Sequence, residues 1–307
     1  MTGSKSTYHI PVLLREGVDA LRIRPDGTYV DATFGGGGHS REILRRLGEN
    51  GKLFAFDKDS DAQANLIDDP RFTFIASDYR FLKNQLRFYG IKQIDGLLAD
   101  LGISSHQIDT GARGFSTRLN ARLDMRMDRN TELTAEDIVN KYGEEKLSEI
   151  LRQYGDLKNA RKIAKSIVRY RDQKPVQTTF DLIEAVRPHI PGKTQQKFLA
   201  KIFQALRIEV NSELESLKRM LEQAAALIKP GGRLAVITYH SLEDRLVKRF
   251  IQSGNFEGKI EKDLYGNFYT PFKKIGKFIS PSTEEIAKNP RARSAKLRVA
   301  ERNPENI

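Results

Sequence analysis

Val30-Asp31-Ala-Thr-Phe-Gly35-Gly-Gly-Gly38-His39-Ser40 is the stretch that decides the fold. The residues before the glycines, Tyr29 to Phe34, are predicted to form a strand, and a helix is predicted to begin near Ser40. Glycine in such a turn lets the backbone adopt positive φ and lets a ligand approach without an intervening Cβ, while the helix N-terminus offers free N–H groups. The stretch therefore predicts a ligand-binding turn at the end of a buried strand.

The sequence around this turn alternates short β-rich runs with helical ones, which is typical of a mostly parallel sheet covered by helices. The further predicted strands are Lys52–Phe56, Phe72–Ile75 and Asp95–Ala99, with helices beginning near Ser60 and Tyr79. Asp57, Asp78 and Asp100 stand at or just after the strand ends. Because ligands of open α/β sheets bind beyond the carboxyl ends of the strands, these acids are expected to line one crevice.

A helical insertion interrupts this α/β pattern. Residues 108–211 show helical periodicity and many Lys and Arg, and Thr134 fits a helix N-cap. The α/β pattern resumes with a predicted helix from Ser212 to Ile228, the break Lys229-Pro-Gly-Gly232, and predicted strands at Arg233–Thr238 and Lys296–Ala300. We expect a discontinuous sheet domain, residues 1–107 and 212–307, around a helical domain, residues 108–211.

Composition excludes several classes of protein. The 307 residues contain no cysteine, which removes disulfide scaffolds, thiolate metal sites and every mechanism that uses a thiolate nucleophile. The five histidines have no spacing suited to a metal, so no metal is predicted. No apolar run is long enough to cross a membrane and no apolar signal segment opens the sequence, which predicts a cytoplasmic protein. A net charge of +12 makes nucleic acid a natural partner, although a basic soluble surface has the same charge.

The glycine turn matches one class of cofactor better than another. The dinucleotide fingerprint G-x-G-x-x-G is imperfect, because Ser40 follows Gly37 by three residues and Arg41 follows Gly38 by three. The stretch instead resembles the first motif of S-adenosylmethionine-dependent methyltransferases, an acid followed by spaced glycines. Asp57, about twenty residues beyond the glycines, is placed to accept hydrogen bonds from both ribose hydroxyls. The sequence therefore predicts a Rossmann-like, class I S-adenosylmethionine-dependent methyltransferase sheet with an inserted all-helical domain.

The loop from Asp100 to Gln107 follows the fourth strand and is the predicted catalytic loop. An exocyclic base nitrogen is a poor nucleophile, so the enzyme must accept a hydrogen bond from its N–H and align the nitrogen with the methyl group. We predict Asp100 for this role, helped by Ser104 and Ser105; Asp100 as a ligand of the methionine amino group is the alternative. For Tyr79, stacking on adenine and packing in the core remain equal alternatives. Without cysteine, covalent methylation at cytosine C5 and radical methylation on a cysteine-bound cluster are excluded, leaving direct transfer to nitrogen or oxygen.

Nearly the whole chain resembles one family, the bacterial ribosomal RNA small-subunit (cytosine-N4)-methyltransferases. The strings that carry the resemblance are His9-Ile-Pro-Val-Leu-Leu14, the turn from Asp31 to Ser40, Asp95-Gly-Leu-Leu-Ala-Asp-Leu-Gly-Ile-Ser-Ser105, Arg113-Gly-Phe-Ser116, Leu123-Asp-Met-Arg-Met-Asp128, Arg207-Ile-Glu-Val-Asn-Ser-Glu-Leu214, Tyr239-His-Ser-Leu-Glu-Asp-Arg245 and Asn289-Pro-Arg-Ala-Arg-Ser294.

This resemblance implies methylation of the N4 amine of a cytidine in 16S ribosomal RNA, near the decoding region of the small subunit, with the insertion recognising the substrate. It places the cofactor residues, by position, at Gly37, Gly38, His39, Asp57, Tyr79, Asp100 and Gln107. The Asp/Asn/Ser-Pro-Pro-aromatic loop of many amino-methylating DNA enzymes is absent from this sequence. Two other hypotheses stay open: methylation of another nucleic acid or small molecule, and a cofactor-binding ribosome assembly factor.

Further motifs leave alternatives open. His240 or Glu243 faces the target base, or Ser241 caps the next helix with Asp244 at its third position. The run from Leu123 to Asp128 forms a loop over the site, or a solvated ion-pair cluster. Basic residues of the insertion and of the C-terminal segment either form an RNA-binding surface or solvated faces; they are Arg161, Lys162, Lys165, Arg169, Arg171, Arg291, Arg293, Lys296 and Arg298.

Overall fold

The computed structural model describes residues 11–104, 107, 111, 113–260, 262, 265–266 and 268–304, apart from the side chain of Lys193. The chain divides into two compact units, Met1–Gly102 with Leu214–Ile307, and Ile103–Glu213. The predicted divisions lay after residues 107 and 211. That the first unit binds cofactor and the second recognises substrate stays a prediction.

Within the described residues, the first unit forms one mixed sheet of seven strands in the order β3-β2-β1-β4-β5-β7-β6. The strands are β1 Thr28–Asp31, β2 Lys52–Asp57, β3 Phe72–Ala76, β4 Ile94–Asp100, β5 Ile228–Thr238, β6 Phe272–Ile279 and β7 Lys296–Arg302. The pairs among β1 to β5 are parallel, whereas β7 is antiparallel to both β5 and β6. This is the predicted α/β, Rossmann-like class, and that prediction is confirmed.

The described α-helices of the two units are α1 Leu14–Ala20, α2 Gly38–Arg46, α3 Leu82–Phe88, α4 Ala135–Lys141, α5 Glu144–Gln153, α6 Ala160–Arg171, α7 Thr179–Val186, α8 Gln195–Asn211, α9 Glu213–Leu227, α10 Ser241–Ser253 and α11 Thr283–Lys288.

The sheet is buried on both faces at its centre. Every residue of β4 from Ile94 to Ala99 is buried, which is typical of a parallel strand covered on both sides. Successive side chains enter different cores: Leu97 packs with Val30, while Leu98 packs with Tyr29. These two cores fix the central strands, so that their carboxyl ends form a rigid edge.

The strand order reverses between β1 and β4, because the chain runs outward from β1 through β2 to β3 and then returns to the far side of β1 at β4. In open α/β sheets this reversal opens a crevice at the carboxyl ends of the two strands, where ligands bind. The glycine turn follows β1 and therefore lies at this position.

Several predicted elements were wrong in detail. The helices expected to begin near Ser60 and Tyr79 start as 3-10 turns, Ser60–Asn65 and Tyr79–Phe81, because the side chains of the preceding aspartates accept backbone N–H groups two residues on and tighten the chain. Strand β6 was missed, since only its first residue is fully buried and an exposed edge strand shows little apolar pattern.

The second unit, in its described part, contains helices α4 to α8 and no strand, around an apolar core of its own. The predicted N-cap at Thr134 is confirmed: its hydroxyl accepts from the Asp137 N–H, and Asp137 accepts in return from the Thr134 N–H. In the run from Leu123 to Asp128, the apolar side chains Leu123, Met125 and Met127 are buried in this core. Asp124 and Arg126 form a double hydrogen-bonded ion pair in the same run.

No helix within the described ranges combines the length and apolar character that a membrane crossing requires.

Candidate active site

The glycines of the turn differ in the space that surrounds them. Gly35 and Gly37 both have positive φ, +49° and +75°. A Cβ on Gly37 would lie 2.9 Å from the Phe34 ring, and one on Gly38 would lie 2.2 Å from Pro11, whereas one on Gly35 would meet nothing within 4 Å. Packing therefore requires glycine at 37 and 38, and the open concave position of the turn is at Gly35.

Hydrogen bonds join this turn to the strand ends on either side of it. The Asp100 N–H at the end of β4 donates to the Thr33 hydroxyl at 2.7 Å. On the other side, the Gly35 N–H donates to Asp57 Oδ2 at the end of β2, also at 2.7 Å. The turn, Asp57 and Asp100 are therefore one hydrogen-bonded arrangement, as their sequence positions predicted.

Two carboxyl groups on this side of the sheet differ in exposure: Asp31 is fully buried, and Asp57 is partly exposed. Asp31 accepts from the Ser40 hydroxyl at 2.7 Å and from the Thr33 N–H at 3.1 Å. Asp57 accepts from the Asp59 N–H at 2.8 Å in addition to Gly35. Burial raises the pKa of each to about 6, against the lowering effect of these hydrogen bonds and, for Asp57, of the charge of Lys58. Each Asp57 oxygen accepts one backbone N–H and keeps a lone pair for a further donor.

Asp100 is the most strongly perturbed of the acids in this arrangement. Burial raises its pKa to about 7, the hydrogen bond that the Tyr239 hydroxyl donates at 2.8 Å lowers it, and the charge of Asp31 raises it further. Nδ1 of His39 lies 3.9 Å from Asp100, but burial lowers the pKa of His39 to about 4, so its imidazole is neutral near pH 7. The donors that the described residues offer to Asp31, Asp57 and Asp100 are thus all neutral.

Asp78, after β3, differs from these three. Burial would raise its pKa, but the charge of Lys58, 3.1 Å away, and two hydrogen bonds from Arg80 outweigh burial and lower it. Its charge is therefore already balanced by the protein. Tyr79 next to it is half-buried and packs against the core on one face of the sheet, so its ring is both part of the core border and partly exposed.

The segment after β5 contributes residues that sequence reasoning missed. Tyr239 reaches Asp100 because β5 pairs with β4, with Ile237 opposite Asp100, which brings both strand ends to the same edge. The strand pairing of a doubly wound sheet is the signal that would have found it. Thr33, whose hydroxyl accepts the Asp100 N–H, was not among the predicted site residues.

The expected cap of α10 at Ser241 was wrong: His240 is the N-cap. Its Nδ1 accepts from the Glu243 N–H at 3.4 Å, and Glu243 accepts from the Tyr239 N–H at 2.9 Å. The buried Glu243 carboxylate accepts hydrogen bonds from the backbone N–H groups of residues 239 and 240, and these bonds hold Tyr239 in position.

Two predicted site residues of the second unit pair with each other. The Ser104 N–H donates to the Gln107 side-chain oxygen at 3.0 Å, and the Gln107 N–H donates to the Ser104 hydroxyl at 3.2 Å. Ser105, the other predicted catalytic helper, lies outside the described residues.

Some side chains of the predicted basic clusters form contacts within the protein, and others are exposed to solvent. Lys296 and Arg298 form ion pairs with Asp244, and Arg171 donates to the backbone carbonyls of Val139 and Tyr142. Four side chains on α6 are solvent-exposed: Arg161, Lys162, Lys165 and Arg169.

A family model described as the MraW methylase family matches residues 6–303, almost the full chain. The chain belongs to this family. The methyltransferase resemblance predicted from the sequence strings is thereby confirmed.

Proteins named ribosomal RNA small subunit methyltransferase H are similar to this member of the family along their whole length. The one from Flavobacterium johnsoniae is 59% identical over 295 residues, covering 96% of this chain and 98% of that protein. The one from Bacteroides thetaiotaomicron is 55% identical over 303 residues, covering 98% of this chain and all of that protein. A third, from Cytophaga hutchinsonii, is 57% identical, covering 96% and 99%.

Proposed function

We propose that this chain transfers the methyl group of S-adenosylmethionine to the N4 amine of a cytidine in 16S ribosomal RNA, within the small ribosomal subunit near its decoding region. Membership of the MraW methylase family and relatives named for methylation of small-subunit RNA support the reaction class and the substrate. The single structural observation that carries the proposal is the set of three carboxyl groups Asp31, Asp57 and Asp100, whose described hydrogen-bond donors are neutral. Asp31 is fully buried, and Asp57 and Asp100 are partly exposed.

The chemistry of these three carboxyl groups fits S-adenosylmethionine and disfavours cofactors that carry phosphate groups. Three acids, one buried and two partly exposed, have pKa values raised to between about 6 and about 7 and form a site that would be stabilised by positive charge. The sulfonium and ammonium groups of S-adenosylmethionine provide that charge, whereas the pyrophosphate of a dinucleotide would be repelled. Open space at Gly35 gives a neutral part of the cofactor room to approach the backbone.

Each predicted cofactor residue has a chemical role consistent with its position. Asp57 would accept hydrogen bonds from the ribose hydroxyls with its remaining lone pairs. Helix α2 begins at Gly38 after the N-cap Gly37, and the first N–H groups of a helix have no helical acceptor, so the N–H groups of Gly38 and His39 would hold the carboxylate. The Gly37 N–H already donates to the Phe34 carbonyl at 2.7 Å, so Gly37 would contribute by shaping the turn. Tyr79 would border the adenine. Gln107 is assigned to the cofactor by the family resemblance.

Catalysis requires an acceptor for the amine N–H and alignment of the nitrogen with the methyl group. When bound, S-adenosylmethionine supplies an electrophilic methyl group. The ionised form of Asp100 would accept a hydrogen bond from the target amine. Tyr239 favours this ionised carboxylate by donating a hydrogen bond to its Oδ1. The turn fixes the Asp100 backbone through Thr33. Alignment of two reacting groups can contribute roughly 7 to 11 kcal/mol, more than a single general base does. Ser104 and Ser105 are proposed as helpers in this loop.

The test is transfer of labelled methyl groups from S-adenosylmethionine to small subunits from cells that lack this gene, followed by nucleoside analysis. We expect label in N4-methylcytidine. Label only in free RNA or in a small metabolite would replace the substrate, and cofactor binding without turnover would favour the assembly-factor hypothesis.

Site variants in the same assay separate the cofactor role from the catalytic one. Asp57→Ala should weaken cofactor binding, whereas Asp100→Asn should lower the turnover of the saturated enzyme and leave RNA affinity unchanged. The matched control is Asp68→Asn, an exposed aspartate on the same unit. Equal loss of cofactor affinity in both site variants, with normal turnover once saturated, would limit Asp100 to holding the cofactor.

A further inference from the structure

A shallow groove at the far edge of the sheet carries an excess of positive charge. It lies within the first unit and is lined by α10, β6 and β7. Lys248 contributes from α10, Lys274 and Lys277 from β6, and Arg298 from β7. No acidic side chain belongs to this described lining, so four cationic side chains border one cleft.

Three of these cations are uncompensated. Arg298 donates to Asp244 at 2.6 Å and is held there. For Lys248, Lys274 and Lys277, the described part of the chain shows no ion-pair partner, and all three are exposed. Such a cluster on a soluble surface repels itself, and an anion with several charges in a row would relieve that repulsion.

An exposed aromatic ring lies beside these lysines. Phe278 is 45% exposed although it also lines the groove, and Lys296 and Arg298 lie over its ring, 5.1 Å and 5.5 Å from the centroid. Asp244 forms ion pairs with both of those cations, so an ion-pair network contacts the ring and restricts its position. A fixed, partly exposed ring next to free cations is the combination that binds single-stranded nucleic acid, through stacking and phosphate contacts.

Protection of an edge strand explains only part of this arrangement. β6 pairs with β7 alone, and its register shifts between Ile275 and Ile279 around Gly276, so lysines and a bulge would discourage another strand from pairing there. That purpose needs neither Lys248, which is on the neighbouring helix, nor an exposed phenyl ring. The same bulge makes addition of a peptide strand unfavourable, which leaves a polyanion as the better occupant.

We propose that the groove formed by Lys248, Lys274, Lys277 and Phe278 binds a single-stranded segment of the substrate RNA, with the lysines on phosphates and the ring under a base. The proposal rests on the proposed function for the identity of the RNA, but its binding test does not require methyl transfer. It gives the first unit an RNA contact separate from the carboxyl-end crevice.

The test compares a groove variant, K248Q/K274Q/K277Q, with a control variant, K52Q/K83Q/K92Q, which removes three exposed lysines elsewhere on the same unit. The probes are an oligouridine of about ten nucleotides, within the site size of single-strand binders, and small subunits that lack the modification. Binding is measured against salt concentration. Loss of three phosphate contacts should reduce the salt slope by about 2, since each contact on a single strand contributes about 0.7. The control should keep the wild-type slope.

Phe278 provides a second variant without a change in charge. Phe278→Ala should weaken oligouridine binding about fivefold or more, and Phe278→Trp should restore it, because stacking depends on the ring and not on its identity. Unchanged thermal stabilisation by S-adenosylmethionine shows that each variant is folded.

Any of three results would overturn the proposal. The first is an equal salt slope in the groove and control variants, and the second is unchanged oligouridine binding by Phe278→Ala. The third is a groove variant that binds small subunits more weakly than the wild type but binds oligouridine normally. The last would assign the groove to a ribosomal protein. If the wild-type chain binds both probes through the groove but transfers no methyl group, the proposed function fails and the groove remains.

Discussion

At the scale of single residues, the ionisation of Asp100 determines what the site can do. Its side chain is 20% exposed, accepts a hydrogen bond from the Tyr239 hydroxyl and has a pKa raised to about 7. An acid in this range changes its protonation state near neutral pH, and only the ionised form accepts a hydrogen bond from an amine without competition from its own proton. Tyr239, whose own pKa burial raises well above 10, remains a donor throughout.

Tyr239→Phe should therefore shift the pH dependence of turnover. Removing this hydrogen bond takes away an interaction that lowers the pKa of Asp100, so the acid limb of the pH–rate profile should move to higher pH by about one unit. The measurement is kcat against pH with saturating cofactor and subunits. Tyr89→Phe, at an exposed tyrosine, is the control. An unmoved acid limb in Tyr239→Phe would show that Asp100 ionisation does not govern turnover.

At the scale of elements, the sequence predicted what depends on periodicity and on strand ends. β1 to β4, β5 from Arg233 onward, β7 and the insertion follow from apolar runs and helical spacing, and Asp57 and Asp100 follow from their places after strands. The predicted break Lys229–Gly232 was wrong, because it lies within β5, which begins at Ile228. β6 could not be predicted because burial, which makes strands visible in sequence, affects little of it. Tyr239 and Thr33 were missed because their roles depend on strand pairing and on a backbone hydrogen bond, neither of which can be read from a single sequence.

The glycine turn offers a prediction that separates packing from ligand approach. Gly38→Ala should lower the free energy of unfolding by about 1–3 kcal/mol through the clash with Pro11. Gly35→Ala has open space but positive φ, so it should lose about 1–2 kcal/mol through backbone strain and also lose cofactor affinity.

Gly90→Ala is the matched control for Gly35→Ala, because Gly90 has φ of +74°, open space around its Cβ and a place at the end of α3, away from the turn. Thermal denaturation and cofactor titration should show similar destabilisation in both, with weaker binding only in Gly35→Ala. Equal cofactor affinity in the two variants would show that the open space at Gly35 is not used.

At the scale of the whole molecule, charge acts in opposite senses in different places. The net charge of +12 would attract a polyanion to the surface, including the exposed face of α6 and the groove beside β6. The carboxyl-end crevice instead concentrates acidic side chains. Under the two proposals, a cationic cofactor and a polyanionic substrate would therefore bind regions of opposite charge.

The buried acids should make the stability of the cofactor-free protein fall as pH rises from about 4 to about 7. Asp31, Asp57 and Asp100 have folded pKa values raised to about 6, 6 and 7, so in this window the folded state binds more protons than the unfolded state. Each such proton decreases the free energy of unfolding by about 1.4 kcal/mol per pH unit. His39, with its pKa lowered to about 4, acts in the opposite sense below about pH 6.5 and cancels about one of the three.

A cation bound beside these acids favours their ionised forms, so S-adenosylmethionine should bind more tightly, and stabilise more, as pH rises through this window. S-adenosylhomocysteine, which lacks the sulfonium charge, should show a weaker pH dependence, and Asp100→Asn should flatten the response to both. The measurement is chemical denaturation at pH 5, 6 and 7.5, with and without each ligand, because linkage equates the extra stability with affinity. If stabilisation by the two ligands depends equally on pH, charge compensation by the sulfonium is not what these carboxyl groups provide, and the case for this cofactor rests on the family alone.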